Sequence, residues 1–157
     1  MVTFNGSTSI SRNIGTAIGG GVLAVSSIFV FTGEAVISLN LASQDGGGCA
    51  LSRSTLSIAG NVTFYNNGAV FRGGGLTLNG DSEIVFQPLT ELRFTNNSAS
   101  RGGAAVIDDS IMFPYCVPSN IPAFTATKCF YQFPSYSLEE LPPTDVAVYF
   151  ESCFTSC

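Results

Sequence analysis

The sequence contains no histidine and no tryptophan, and few of its residues carry a charge. Without histidine the chain lacks the commonest general base and the commonest metal ligand. Six basic residues stand against eleven acidic ones, which gives a net charge of −5. Nucleic acids and anionic membranes bind clusters of Lys and Arg. The composition therefore argues against a nucleic-acid partner, a metal or other cofactor, and an active site built on histidine.

Long apolar runs are also missing. The most apolar stretch, residues 22–31, has about half the length of a bilayer span and contains two serines, so we expect no membrane span in this segment. The first residues, MVTFNGSTSISRN, lack the basic start and apolar run of a signal peptide. The absence of a signal peptide indicates either a cytosolic protein or a chain that begins partway through a longer one, and the repeats described next favour the second.

A repeat with a period of about 27 runs through residues 1–112. Glycine runs begin at steps of 27, 27 and 29, at Gly19, Gly46, Gly73 and Gly102. Asparagines recur at steps of 27, 27 and 30, at Asn13, Asn40, Asn67 and Asn97. Apolar pairs keep nearly the same spacing, at Val2 and Phe4, Phe29 and Phe31, Leu56 and Ile58, and Ile84 and Phe86. Repetition at this period is typical of solenoids.

Each repeat predicts three short strands separated by turns, without a helix. Apolar residues at i and i+2 put one face of each strand inward. Strands of successive repeats then pair in parallel at about 4.8 Å. The prediction is an all-β fold, a parallel β-helix (solenoid) of about four coils, in which Phe29, Leu56 and Ile84 stack in one interior column.

The glycine and asparagine columns have a structural interpretation. Glycine suits turns with positive φ and places where backbone packs on backbone. Asparagine tolerates the left-handed region, and its amide can bond to the same residue one coil away. We therefore expect the four asparagines to form a vertical stack, and replacement of Asn67 by Ala to cost about 1–3 kcal/mol. A phosphate-binding loop is the alternative for GGG, but no helix or lysine follows the glycines.

Two repeats carry a recognisable signature: FYNN at 64–67 before GGGL at 73–76, and FTNN at 94–97 before GGAA at 102–105. These elements resemble the FxxN and GGA[ILV] elements of the polymorphic outer membrane protein repeat, known from chlamydial surface autotransporters and found in similar form in eukaryotic extracellular proteins. The first two repeats depart from it, with ISRN and ISLN, and with GGGV and GGGC. The resemblance implies a right-handed parallel β-helix on a cell surface, with an adhesive role.

The repeat pattern stops at Phe113. Residues 113–144 are predicted to form an irregular insertion rich in cysteine, proline and aromatic residues, and residues 145–157 to start a further, truncated coil. CFYQF at 129–133 is similar to a stretch of the eukaryotic repeats. Cys116 and Cys129 enclose a loop whose closure stabilises by about 3 kcal/mol in the chain-entropy model, so we expect a disulfide between them. Free thiols stay open as an alternative, and so does a zinc site, although the cysteine spacing fits none of its usual patterns.

Three triplets match the acceptor pattern for N-linked glycans, at Asn5, Asn61 and Asn96, and each lies at or beside a predicted turn. An enzyme is the other possibility to weigh, because right-handed β-helices also host pectate lyases and polygalacturonases. Asp81 and Asp109 lie at comparable turns, where stacked carboxylates about 5 Å apart would suit a retaining glycosidase. The simpler interpretation is an Asp-Ser turn that bonds its own backbone, and we predict no catalytic residues.

The sequence therefore predicts a non-catalytic structural or adhesive β-helix module, extracellular or at a cell surface, and part of a longer repeat protein. Its expected partners are a protein or glycan at a cell surface and further β-helix coils at one or both ends. The alternative is a β-helix that binds or cleaves polysaccharide, as pectate lyases do. Aromatic side chains exposed beside paired carboxylates would favour that alternative, and a face of Ser, Thr and Asn would favour the spacer.

Overall fold

The computed structural model of the protein describes residues 1–87, 90 and 92–107, with Ile107 as backbone only. It also describes the backbone of three short strands at 111–113, 130–131 and 148–150. The predictions for Asp109, for the Cys116–Cys129 disulfide and for most of the 113–144 insertion lie outside the described residues.

The strands, numbered in chain order, form four parallel sheets. Sheet 1 contains β1 (Val2–Phe4), β5 (Ile28–Phe31), β9 (Thr55–Ile58), β13 (Glu83–Phe86) and β16 (Ile111–Phe113). Sheet 2 contains β2 (Thr8–Ser11), β6 (Ala35–Ser38), β10 (Val62–Tyr65) and β14 (Leu92–Thr95). Sheet 3 contains β3 (Ile14–Gly15), β7 (Leu41–Ala42) and β11 (Gly68–Ala69). Sheet 4 contains β4 (Val22–Val25), β8 (Cys49–Ser52), β12 (Leu76–Asn79), β15 (Ala105–Ile107), β18 (Val148–Phe150) and β17 (Phe130–Tyr131).

One coil passes through the four sheets in order and then stacks on the next coil. The predicted parallel solenoid of about four turns is confirmed, since each strand of residues 1–107 pairs in parallel with its equivalent one repeat away. The prediction of three strands per repeat was incomplete. A fourth, very short strand, in sheet 3, follows each of the first three asparagines of the repeat. Such a strand is too short to show an alternating pattern in the sequence.

The core lies inside the coils and is built from the alternating apolar positions. Phe29 pairs with Leu56, and Leu56 with Ile84, which confirms the predicted interior column. Leu56 and Ile84 are 1% and 0% exposed, and Phe29 packs against the same cluster. In sheet 4 a second column stacks in register, one residue from each coil: Val22, Cys49, Leu76 and Ala105. Stacked rings extend the core in sheet 2, where Phe64 and Phe94 have centroids 5.0 Å apart.

Length differences between repeats are absorbed at the corners. Sheet 1 pairs Thr55 with Glu83, a step of 28 along the chain. Sheet 2 pairs Val62 with Leu92, and the step there is 30, as it is between Asn67 and Asn97. Sheet 4 pairs Leu76 with Ala105, and the step there is 29, one less than in sheet 2. The strands themselves keep parallel register throughout.

Within the part of the chain that the structure describes, no helix is long and apolar enough to cross a membrane.

Candidate functional site: the asparagine ladder and its surroundings

The corner between sheets 2 and 3 turns at a residue with positive φ that directly precedes each repeated asparagine. These residues are Arg12, Leu39, Asn66 and Asn96, with φ between 52° and 59°. The sequence suggested the left-handed region for the repeated asparagines themselves, and the structure places it one residue earlier. Left-handed backbone is strained for a side chain such as that of Leu39. The turn holds the following asparagine inside the coil, where Asn40 and Asn67 are 0% and 1% exposed.

The structure places Asn13, Asn40, Asn67 and Asn97 in one vertical stack, as their spacing predicts. The Oδ1 of Asn67 accepts from the backbone N and the Nδ2 of Asn40, at 3.1 Å and 3.0 Å. Asn67 in turn donates its own N and Nδ2 to the Oδ1 of Asn97, at 2.9 Å and 3.0 Å. Its second amide hydrogen reaches the carbonyl of Ile37 at 2.7 Å. Every hydrogen-bonding atom of this buried amide therefore has a partner in a neighbouring coil.

The ladder has a direction. Asn40 and Asn67 each donate to the Oδ1 of the asparagine in the next coil and accept from the asparagine in the coil before. Asn13 donates in the same direction, with its N and Nδ2 both 3.0 Å from the Oδ1 of Asn40. Asn13 is exposed, whereas the three later asparagines are buried.

A serine ladder parallels the asparagine ladder at the corner between sheets 4 and 1. The backbone N of Ser27 donates to the Oγ of Ser54 at 3.1 Å, and the N of Ser54 donates to the Oγ of Ser82 at 3.2 Å. The hydroxyl of Ser54 donates to the carbonyl of Ser52 at 2.9 Å. Sequence reasoning missed this ladder, although its steps of 27 and 28 follow the repeat. Serine is so frequent in this chain that the spacing alone did not stand out.

The glycine runs form the corner before sheet 4 and bring adjacent backbones together. Gly46 has φ 66°, and a Cβ added at Gly47 would lie 2.2 Å from the carbonyl oxygen of Gly68. The amides of the run Gly46–Gly48 donate to carbonyl oxygens of the next coil at 2.9–3.1 Å. These amides are therefore not free to hold a phosphate. The interpretation of the glycines as turn and packing positions is confirmed.

A charged column lies beside the glycines. Asp45 pairs in parallel with Arg72, and Arg72 with Arg101, one coil apart. The Nη2 of Arg72 is 2.9 Å from the Oδ2 of Asp45, whose side chain is 12% exposed. The Oδ1 of Asp45 is buried and accepts no hydrogen bond from the described residues. This column joins opposite charges at one end and places the exposed Arg101 at the other.

The carboxylates considered for catalysis lie elsewhere. Asp81 is exposed and has φ 61°, and the hydroxyl of the following Ser82 donates to the carbonyl of Asn79 at 2.7 Å. This is the turn expected from an Asp-Ser pair that bonds its own backbone. Asp109, the second carboxylate of the proposed pair, lies outside the described residues. Among the described residues, no group of three or more His, Cys, Asp or Glu side chains is placed to share a metal ion.

Cys49 is buried in the core at 3% exposure and carries a free thiol. Burial raises its pKa from 9.0 to about 12, because the interior cannot solvate the thiolate. Cys49 therefore packs as a small apolar side chain of the core. The pairing of Cys116 with Cys129 stays a prediction.

The three glycan acceptor positions are exposed. Asn5, Asn61 and Asn96 all lie at or next to turns between strands. The Oδ1 of Asn5 accepts a hydrogen bond from the hydroxyl of Thr32 at 2.7 Å. Asn96 precedes the buried Asn97, so the middle residue of that triplet is held in the ladder. Geometry thus leaves all three asparagines accessible from outside.

The fold and its two ladders define the class of the protein as a parallel β-solenoid. Comparisons with protein-family models, curated proteins and solved structures found no match to this chain. Its resemblance to the polymorphic outer membrane protein repeat stays a prediction from the two signatures in the sequence.

Proposed function

We propose that the chain is a non-catalytic structural or adhesive module at a cell surface or outside the cell, and part of a longer stack of coils. The observation that carries this proposal is that the repeated polar groups form hydrogen bonds between coils. The asparagine and serine ladders and the glycine amides bond one coil to the next. The polar positions that define the repeat thus build a rod.

The outer faces support the same role. In sheet 2 the inward column Ile37 and Phe64 is fully buried, so the alternate residues face outward. These outward residues are mostly hydroxyl side chains, namely Ser9, Ser11, Ser38, Thr63 and Thr95, together with Val36, Tyr65 and Arg93. A face of small hydroxyl groups is suited to a spacer that contacts its surroundings weakly along its length. Exposed acceptor asparagines agree with an extracellular location.

Location is the first test of the proposal. An antibody raised against the folded coils should label intact, non-permeabilised cells of the source organism. The same antibody applied after permeabilisation gives the total protein as the control. Labelling that occurs only after permeabilisation would contradict a surface or extracellular role.

The second test addresses catalysis. Purified protein should release no product from polygalacturonate or other glycans. Turnover that disappears in Asp81→Asn but persists in Glu83→Gln would replace the structural role with an enzymatic one. Glu83 is a suitable control because it lies on the neighbouring strand and its carboxylate accepts a hydrogen bond from Thr55 at 2.8 Å.

Polysaccharide binding is the second candidate, and two exposed aromatic side chains favour it. Tyr65 and Phe71 of the third coil are 40% and 55% exposed. Aromatic rings offer a large apolar face on which a sugar ring can stack. If this candidate holds, affinity electrophoresis in gels containing polygalacturonate should show retardation that Phe71→Ala reduces. Val70→Ala is the matched control, since Val70 is 53% exposed beside it but not aromatic. Equal mobility of both variants and the unmodified chain would remove the candidate.

A further inference from the structure

The first coil leaves an open edge on one side of the solenoid. Strands β1 to β4 each end their sheet, and no described strand pairs with their outer side. The interior column of sheet 1 is uncovered there, since Val2 is 44% exposed while its equivalent Leu56 is 1% exposed. Phe4, Ile10 and Val22 pack against the core and are only partly buried. This edge is the same surface that each later coil presents to the coil before it.

The two ladders leave specific acceptors at this edge. In the interior, the Oδ1 of Asn40 accepts two hydrogen bonds from Asn13, and the Oγ of Ser54 accepts one from Ser27. The corresponding acceptors of the first coil are Asn13 Oδ1 and Ser27 Oγ, and no described donor reaches either of them. Both ladders therefore present open acceptors on the same side, at two separate corners of the coil.

The backbone completes the pattern. Leu41 and Ser43 donate their amides to the carbonyls of Asn13 and Gly15, at 2.9 Å and 3.2 Å. One repeat earlier, the equivalent amides belong to Ile14 and Thr16, and the same register directs them out of the open edge. An incoming coil must match these donors and both side-chain acceptors at once, which only a strand in parallel register does.

We propose that this edge is a docking site for one further parallel coil of the same repeat, which carries an asparagine at the ladder position. That asparagine gives its backbone N and its Nδ2 to Asn13 Oδ1, as Asn13 does to Asn40. A second copy of the chain that presents the same edge does not fit, because two Asn13 acceptors would then face each other without a donor. The inference deepens the proposed structural role and rests on it for its biological purpose. Its test measures docking alone, so a negative result leaves the location and binding tests above untouched.

The test extends the full chain by one coil. A copy of residues 28–54 is placed directly before Met1, which keeps the spacing of the repeat and puts the copied asparagine one repeat before Asn13. The matched control carries Asn40→Ala in the copy only, so that all apolar contacts of the added coil are kept. Hydrogen exchange is measured in dilute protein for the amides of Ile14 and Thr16. The amide of Leu41, which is bonded within the original chain, reports whether the solenoid is folded in each protein.

The added coil should slow exchange at Ile14 and Thr16 by about tenfold or more relative to the original chain, while Leu41 stays protected throughout. The Asn40→Ala copy should lose about tenfold of this protection, because the ladder hydrogen bonds are missing. Unchanged exchange at Ile14 and Thr16 beside a protected Leu41 would overturn the proposal. Equal protection by both copies would also overturn it, since the asparagine of the added coil would then contribute nothing to docking.

Discussion

The replacement Asn67→Ala tests how much the asparagine ladder stabilises the solenoid. The side chain takes part in four hydrogen bonds: two from Asn40 to its Oδ1, one from its Nδ2 to Asn97, and one to the carbonyl of Ile37. A hydrogen bond contributes about 0.5–1.5 kcal/mol net, so the loss of all four lowers the free energy of unfolding by about 2–6 kcal/mol. From the sequence alone we expected Asn67→Ala to cost about 1–3 kcal/mol. The structure gives a larger cost, because the buried amide of Asn67 bonds to residues of both neighbouring coils.

Asn13→Ala provides the matched control. Asn13 has the same chemistry and the same column, yet its side chain makes one described hydrogen bond, from Nδ2 to Asn40, and it is exposed. Its loss should lower the free energy of unfolding by about 0.5–1.5 kcal/mol. Urea unfolding followed by circular dichroism measures both variants, provided that the transition stays cooperative across the coils. If the two variants are equally stable, the ladder does not stabilise the fold through its hydrogen bonds.

Three further perturbations act on other groups of the coils. Because burial raises the pKa of Cys49 from 9.0 to about 12, the unfolded thiol ionises first, and stability should fall as pH rises from about 9 to about 12. Urea unfolding at several pH values should show this pH-dependent loss of stability in the unmodified chain and not in Cys49→Ala. Gly47→Ala should prevent cooperative thermal melting, because its Cβ would lie 2.2 Å from a carbonyl oxygen. Gly6→Ala is the control: its Cβ meets open space, so the change should cost only about 1–2 kcal/mol, from left-handed backbone strain. Arg72→Met should destabilise by about 1–3 kcal/mol, because it leaves the carboxylate of Asp45 without its cation, and adding Asp45→Asn should recover part of the loss in a double-mutant cycle.

Strand register and the ladder could be predicted from the sequence because both depend on spacing. A step of 27 puts Phe29 over Leu56 and Asn40 over Asn67, whatever the shape of the corners between them. An asparagine repeated at that step has few ways to satisfy a buried amide other than its own equivalents. The step of the repeat and the hydrogen-bonding requirement of a buried asparagine therefore predict the same stacking, and the structure has it.

The corners could not be predicted in the same way. Arg12 and Leu39 have positive φ, although neither residue favours that region and glycine or asparagine would. Their conformation comes from the turn that carries the next residue into the ladder, which is a tertiary effect. For Asp81 the sequence was compatible with both a turn and a catalytic pair. The structure shows the turn, in which the hydroxyl of Ser82 donates to a backbone carbonyl.

The changing step of the repeat, from 27 to 28 and then to 30, bears on how such a chain can diversify. Extra residues enter between Phe86 and Leu92, and one fewer is used between Ser98 and Arg101, while the sheets on either side keep their pairing. Duplication of a coil and variation of its corners are thus separate operations. Because the strands on both sides of these corners keep their parallel pairing, corners of different length are compatible with the same stack of coils.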